Sequence, residues 1–177
     1  MTRTALLFSM LLAAPAFAQA PKSAPANPAV STMKDLWAGA RDYIVRAAEQ
    51  MPEADYAYRP TPDVRSFGQL IGHIAGAQNM MCAAALGEKG GNEDDIEKSK
   101  TTKAELIDAL RKSNEYCARA YALSDAEAQR TTKLFGQDMT RLYVLGMNAT
   151  HDNEHYGNIV TYMRMKGMVP PSSQPRR

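Results

Sequence analysis

Glu88-Lys89-Gly90-Gly91-Asn92-Glu93-Asp94-Asp95-Ile96-Glu97-Lys98-Ser99-Lys100 lies between two amphipathic stretches and carries no helical or strand period. It reads as a loop, and its length decides how the helices on either side can be joined. About fifteen residues link one helix to the next, a reach of roughly 50 Å at about 3.3 Å per residue. A helix of about twenty residues is only about 30 Å long. The loop can therefore run back along the molecule and start the next helix parallel to the one before.

The flanking helices are well marked. Before the loop, Ser66 and Gln69 form a capping box, Phe67, Leu70, Ile71, Ile74, Ala77, Met81 and Ala84 make an apolar stripe, and Gly87 supplies a stop. After it, Thr102 and Glu105 cap a helix with Leu106, Leu110, Cys117 and Tyr121 on one face, ending near Ser124. Upstream, Thr32 and Asp35 predict the cap of a first helix that Pro52 ends. Downstream, past a second irregular stretch, Asp138 predicts the cap of the longest helix, which runs to about Lys166 before Gly167 and Pro170-Pro171. Four amphipathic helices and no strand pattern predict an all-α four-helix bundle with long connections between helices two and three and between three and four.

The parallel arrangement bears on the two cysteines. Cys82 and Cys117 each sit about a turn from the C-terminal end of their helices, hence at similar height when the helices run parallel. An antiparallel pair would separate them by roughly 15 Å along the axis, beyond disulfide reach. A Cys82–Cys117 bridge and parallel pairing support each other; two separate buried thiols are the alternative.

Residues 1–18 read as a cleaved signal peptide: Arg3, an apolar run from Ala5 to Ala14 too short to span a bilayer, then Ala16-Phe17-Ala18 before Gln19. Residues 19–31 read as a flexible leader, 32–173 as the bundle domain and 174–177 as a tail. The expected location is periplasmic or secreted, an oxidising setting for the bridge. No later segment is apolar enough to serve as a membrane anchor. With 21 basic and 19 acidic residues the chain carries a formal charge of +2, and no basic stripe is visible, so nucleic-acid binding has no footprint.

The chemistry concentrates on the three histidines. His151 and His155 lie four residues apart on one face of the last helix, a spacing that presents two imidazoles side by side to a divalent metal. His73, on the second helix, can complete the set. The same sector of the last helix holds Asn148, Asn158 and Tyr162, polar groups that would be costly to bury unpartnered and that could hydrogen-bond the imidazoles from behind. Glu154 flanks the pair. His151-Asp152-Asn153-Glu154-His155 also fits the H-x-x-E-H motif of inverted zincins, with Glu154 as general base, but no acidic residue follows His155 to act as third ligand. No nucleophile elbow, phosphate loop or dinucleotide fingerprint occurs. The eleven methionines are scattered and do not form a copper-type cluster, although Met147 and Met165 lie near the histidine face.

These residues resemble the DinB-like (DinB/YfiT) superfamily of metal-binding four-helix bundles. The matching stretches are Tyr58-Arg59-Pro60, Arg65-Ser66-Phe67-Gly68-Gln69-Leu70, Gly72-His73-Ile74-Ala75, His151-Asp152-Asn153-Glu154-His155-Tyr156-Gly157 and Lys166-Gly167-Met168-Val169-Pro170-Pro171-Ser172. The resemblance implies an up-down-down-up bundle in which His73, His151 and His155 bind a divalent ion, zinc or nickel. Relatives include transferases and an isomerase that use low-molecular-weight thiols; those cofactors are cytosolic, whereas this chain reads as exported. The expectation is an exported metal-dependent hydrolase or transferase acting on an unknown small molecule. The alternative is a non-catalytic stress protein that holds a metal or small ligand. A structural or homodimerising module without metal is the third reading.

Overall fold

A computed structural model describes residues 25–175; the expected signal peptide, the first six residues of the leader and the last two residues of the chain lie outside them. Four long helices, α1 (Pro28–Gln50), α2 (Phe67–Leu86), α4 (Lys103–Ala120) and α6 (Arg141–Met165), make the bundle. Two short helices, α3 (Asp95–Ser99) and α5 (Asp125–Ala128), and a hairpin of β1 (Thr131–Leu134) and β2 (Gln137–Thr140) fill the connections.

The capping boxes expected at Ser66 and Thr102 are formed, and Gly87 closes α2 at φ 76°. The other two helix starts differ from the sequence reading. Helix α1 begins at Pro28, inside the expected leader, and Thr32 is no cap: its Oγ1 donates back to the Pro28 carbonyl at 2.7 Å. Asp125 performs the capping from far along the chain, accepting from the Ala29 and Val30 amides at 3.0 and 2.9 Å. Carboxylate charge at a helix N-terminus satisfies unpaired N–H groups and opposes the helix dipole. Asp138 does not cap the last helix either. It sits in β2, ion-paired with Lys133 at 2.6 Å, while Thr140 accepts from the Tyr143 amide at 3.1 Å. The hairpin turns at Phe135-Gly136, both with positive φ, as a two-residue hairpin loop requires. At the other end, Gln174, assigned to the tail, accepts from Arg46 at 2.7 Å and is tied to Gln50.

Side-chain pairings give the directions. Along α2 and α4, Gln78 meets Ser113 and Cys82 is disulfide-bonded to Cys117 with Cα atoms 5.2 Å apart, so the two run parallel as the loop length implied. Along α1 and α6, Met33 lies against Gly146 and Tyr43 stacks on Tyr156, so these are parallel too. Helices α2 and α6 are antiparallel, with Arg65 opposite Tyr162 and Gln78 opposite Asp152. The order is up-down-down-up.

The core has two halves. One is built on Ile44, Phe67, Ile71, Leu110, Ile159 and Met163; the other on Trp37, Met81, Cys117, Tyr121 and Leu145, with Trp37 stacked on Tyr121 at 4.5 Å. Along the helices a buried polar layer of Gln78, Ser113 and Asp152 separates them. The histidines border this seam. Among the described residues no helix is long and apolar enough to cross a membrane.

Candidate metal centre

His73 projects from α2, and His151 and His155 project one turn apart from α6. His73 and His155 are buried; His151 is half-buried. Their Nε2 atoms converge: His151 Nε2 lies 3.2 Å from that of His73 and 3.0 Å from that of His155. A ring nitrogen offers either a proton or a lone pair, so His151 Nε2 cannot make a good hydrogen bond to both neighbours at once. One cation shared by three lone pairs would satisfy all of them. Tetrahedral zinc bonds of about 2.0–2.1 Å place ligand nitrogens roughly 3.3 Å apart, close to the two His151 separations. Residues and geometry fit a divalent ion.

Burial, then the Arg65 and His151 charges, holds the His73 pKa down at about 4; burial, then His151 and His73, holds that of His155 at about 3. Both rings are therefore neutral at pH 7, the form that donates a lone pair. Behind the rings, His73 Nδ1 faces Asp94 Oδ1 at 3.6 Å and Glu97 Oε2 at 3.9 Å, and His151 Nδ1 faces Asp152 Oδ1 at 3.9 Å. His155 Nδ1 meets the Asn158 amide at 3.4 Å.

The sequence model of the DinB superfamily matches residues 36–159, which contain all three histidines. The chain belongs to the DinB superfamily. Solved structures share the fold. A DinB-like protein from Bacillus cereus ATCC 10987 superposes with a TM-score of 0.68 at 18% identity, over 80% of this chain and 95% of its own. A DinB-like protein from Bacillus subtilis gives 0.65 at 20% identity, over 82% and 99%. YfiT from Bacillus subtilis, described as a probable metal-dependent hydrolase with an unusual four-helix bundle topology, gives 0.62 at 14% identity, over 85% and 94%. No curated protein matches the chain.

In this DinB-superfamily chain the remaining expected site residues scatter. Asn158 alone reaches a histidine. Asn148 is buried but donates to the Tyr121 hydroxyl at 3.1 Å, which in turn donates to the Leu145 carbonyl at 2.9 Å. Tyr162 donates to the Arg65 carbonyl at 2.6 Å, pinning the start of α2 to α6. Glu154 is exposed and makes no hydrogen bond or ion pair to the histidines, because one residue before His155 is about 100° around the helix.

Three carboxylates were missed. Asp152 is fully buried, and burial raises its pKa against the opposing pull of His151, Gln78 and Trp37. It accepts from Gln78 Nε2 at 2.8 Å, while Gln78 Oε1 accepts from Ser113 at 2.9 Å. Its spacing was a usable signal, since it adjoins His151 on a helix of known phase. Asp94 and Glu97 gave no such signal, because they lie in the stretch that reads as loop.

Helix α6 and the segment before α2 bound a cleft of about 610 Å³ with Val64, Arg65, His155, Asn158 and Tyr162 in its walls. Its size suits a small molecule. A larger groove of about 690 Å³ between α1 and α4, lined by Tyr43, Arg46 and Asn114, has none of the histidines in its walls.

Proposed function

We propose that His73, His151 and His155 together bind one divalent transition metal and that the protein uses it to hydrolyse a small-molecule substrate outside the cytoplasm. The observation that carries this reading is the convergence of three Nε2 atoms next to an open cleft. Three imidazole donors favour zinc or nickel over magnesium or calcium. Such an ion, held by three protein ligands, keeps a position for solvent or substrate and supplies Lewis acidity. Of the three ligands, His155 faces the cleft, so substrate would approach past Asn158 and Tyr162. The Arg65 side chain lies in the same wall and is partly exposed, a donor suited to orienting a polar substrate group. The hydrolase description of YfiT belongs to that protein, and a shared fold lends it to this chain only as a proposal. The Cys82–Cys117 disulfide supports an oxidising compartment.

The test is elemental analysis of the purified protein beside a His151→Ala/His155→Ala variant, followed by a panel of chromogenic esters, amides and lactones. One equivalent of zinc or nickel in the parent, none in the variant, and turnover abolished by chelation are expected. Equal metal content in both proteins defeats the ligand assignment. A loaded protein inert across the panel defeats the hydrolase reading while leaving the metal site standing.

A further inference from the structure

The stretch between α2 and α4 is packed against α2 rather than hanging free. A Cβ placed on Gly76 would come within 2.0 Å of the Glu93 carbonyl oxygen, and one on Gly72 within 2.8 Å of Glu97 Cα. These two glycines let the crossover backbone lie on α2 beside His73. The result is that Asp94 and Glu97 both face His73 Nδ1, at 3.6 and 3.9 Å. The His73 side chain is only 6% exposed, and Nδ1 has no closed hydrogen bond, a costly state for a buried N–H or lone pair. Both carboxylates are held from elsewhere. Arg65 Nε donates to Glu97 Oε2 at 2.8 Å, Arg65 Nη2 lies 3.5 Å from Asp94 Oδ1, and Lys98 Nζ donates to Asp94 Oδ2 at 3.1 Å.

We propose that Asp94, supported by Glu97, is a positioning residue that accepts the Nδ1 proton of His73 and so reserves the Nε2 lone pair for the metal. This deepens the metal reading above and rests on it. An imidazole has one proton to place, and the group behind the ring decides which nitrogen keeps it. A carboxylate can only accept, so it selects the Nδ1–H tautomer. The crossover segment is thereby a wall of the metal site as well as a tether between helices. A second cation between His73 Nδ1, Asp94 and Glu97 is the competing use of the same atoms, which lie within 4.8 Å of one another. The Arg65 guanidinium already contacts both carboxylates, and a second dication would have to displace it.

Asp94→Asn/Glu97→Gln separates these uses, because each amide is isosteric and can donate to Nδ1. In the metal-free protein, imidazole ¹⁵N NMR should show His73 protonated at Nδ1 in the parent and at Nε2 in the double variant. Zinc affinity, measured by competition with a chromophoric chelator, should fall about 10- to 100-fold. Asp94→Glu/Glu97→Gln, which keeps one carboxylate at the ring, should restore most of the affinity. Circular dichroism and the thermal transition report whether the variants fold. An unchanged tautomer with affinity within about twofold of the parent overturns the proposal. So does a second zinc equivalent in the parent that the double variant loses. If the parent binds no metal at all, the metal reading fails and the NMR tautomer alone decides this inference.

Discussion

Gly76→Ala sets two effects against each other, and their sizes predict the sign. Alanine is the better helix former by about 0.8–1.0 kcal/mol. The new methyl, however, would lie 2.0 Å from the Glu93 carbonyl oxygen and 2.8 Å from its carbon, both backbone atoms that cannot rotate away. Restoring an ordinary contact of about 3.4 Å requires the crossover to retreat by roughly 1.4 Å, and overpacking of this kind costs about 1–3 kcal/mol. Against rigid backbone the upper part of that range applies, leaving a net loss of about 1–2 kcal/mol. For a domain of this size that is a fall in Tm of roughly 2–8 °C. Gly39 and Gly157 supply the controls: both are exposed on long helices, with nothing within 4 Å of a built Cβ. Gly39→Ala and Gly157→Ala should each stabilise by about 0.4–1 kcal/mol. Urea unfolding of the three variants, with the disulfide intact, measures all of this. If Gly76→Ala gains stability as the controls do, the close packing of the crossover on α2 is wrong.

Removing the bridge with Cys82→Ala/Cys117→Ala opens a loop with a sequence separation of 35; loop-closure entropy sets the loss at about 3.8 kcal/mol. Scanning calorimetry should show Tm falling by roughly 8–15 °C, and a shift under about 3 °C would contradict the entropic account. Asp125→Ala removes the acceptor of the Ala29 and Val30 amides. It should cost about 1 kcal/mol, with faster hydrogen exchange at those two amides as the local signature and unchanged exchange there as the refutation. Burial raises the pKa of Tyr56 and of Tyr121 above the ordinary value. An acid with a raised folded-state pKa favours the folded form while protonated. Its stabilisation is complete below the unfolded value of about 10 and is lost as pH climbs beyond it. Unfolding free energies should therefore drop above about pH 10, and Tyr56→Phe should flatten that drop.

Local signals, with both partners of an interaction within a turn or so, mostly hold in the structure; the Thr32 and Asp35 cap is an exception, because α1 already starts at Pro28. Ser66 with Gln69 and Thr102 with Glu105 are self-contained caps, and the pair His151 and His155 needs only the helical repeat to be seen. The parallel α2–α4 pairing was legible because loop length is a length, whatever the loop contains. What escaped depends on distant partners or on short elements. Helix α1 starts early because its cap, Asp125, is 96 residues from Ala29. Helix α3 has five residues, too few for a period to emerge. The hairpin turns on Phe135, an uncommon choice for positive φ, so the usual Asn-Gly or Asp-Gly marker is missing. The same limit applies to the site. Asn148 and Tyr162 share the histidine sector, but partners on other segments, Tyr121 and the Arg65 carbonyl, claim them.

The parallel packing of the first long helix on the last carries a consequence for how the molecule is made. Trp37 and Ile44 are covered partly by a helix that begins only at Arg141, so a chain emerging from its N-terminus cannot finish either half of the core until α6 has been made. Most helical bundles are rich in contacts between near neighbours in sequence and fold fast for that reason. Here the first long helix must wait for α6, keeping apolar surface exposed meanwhile.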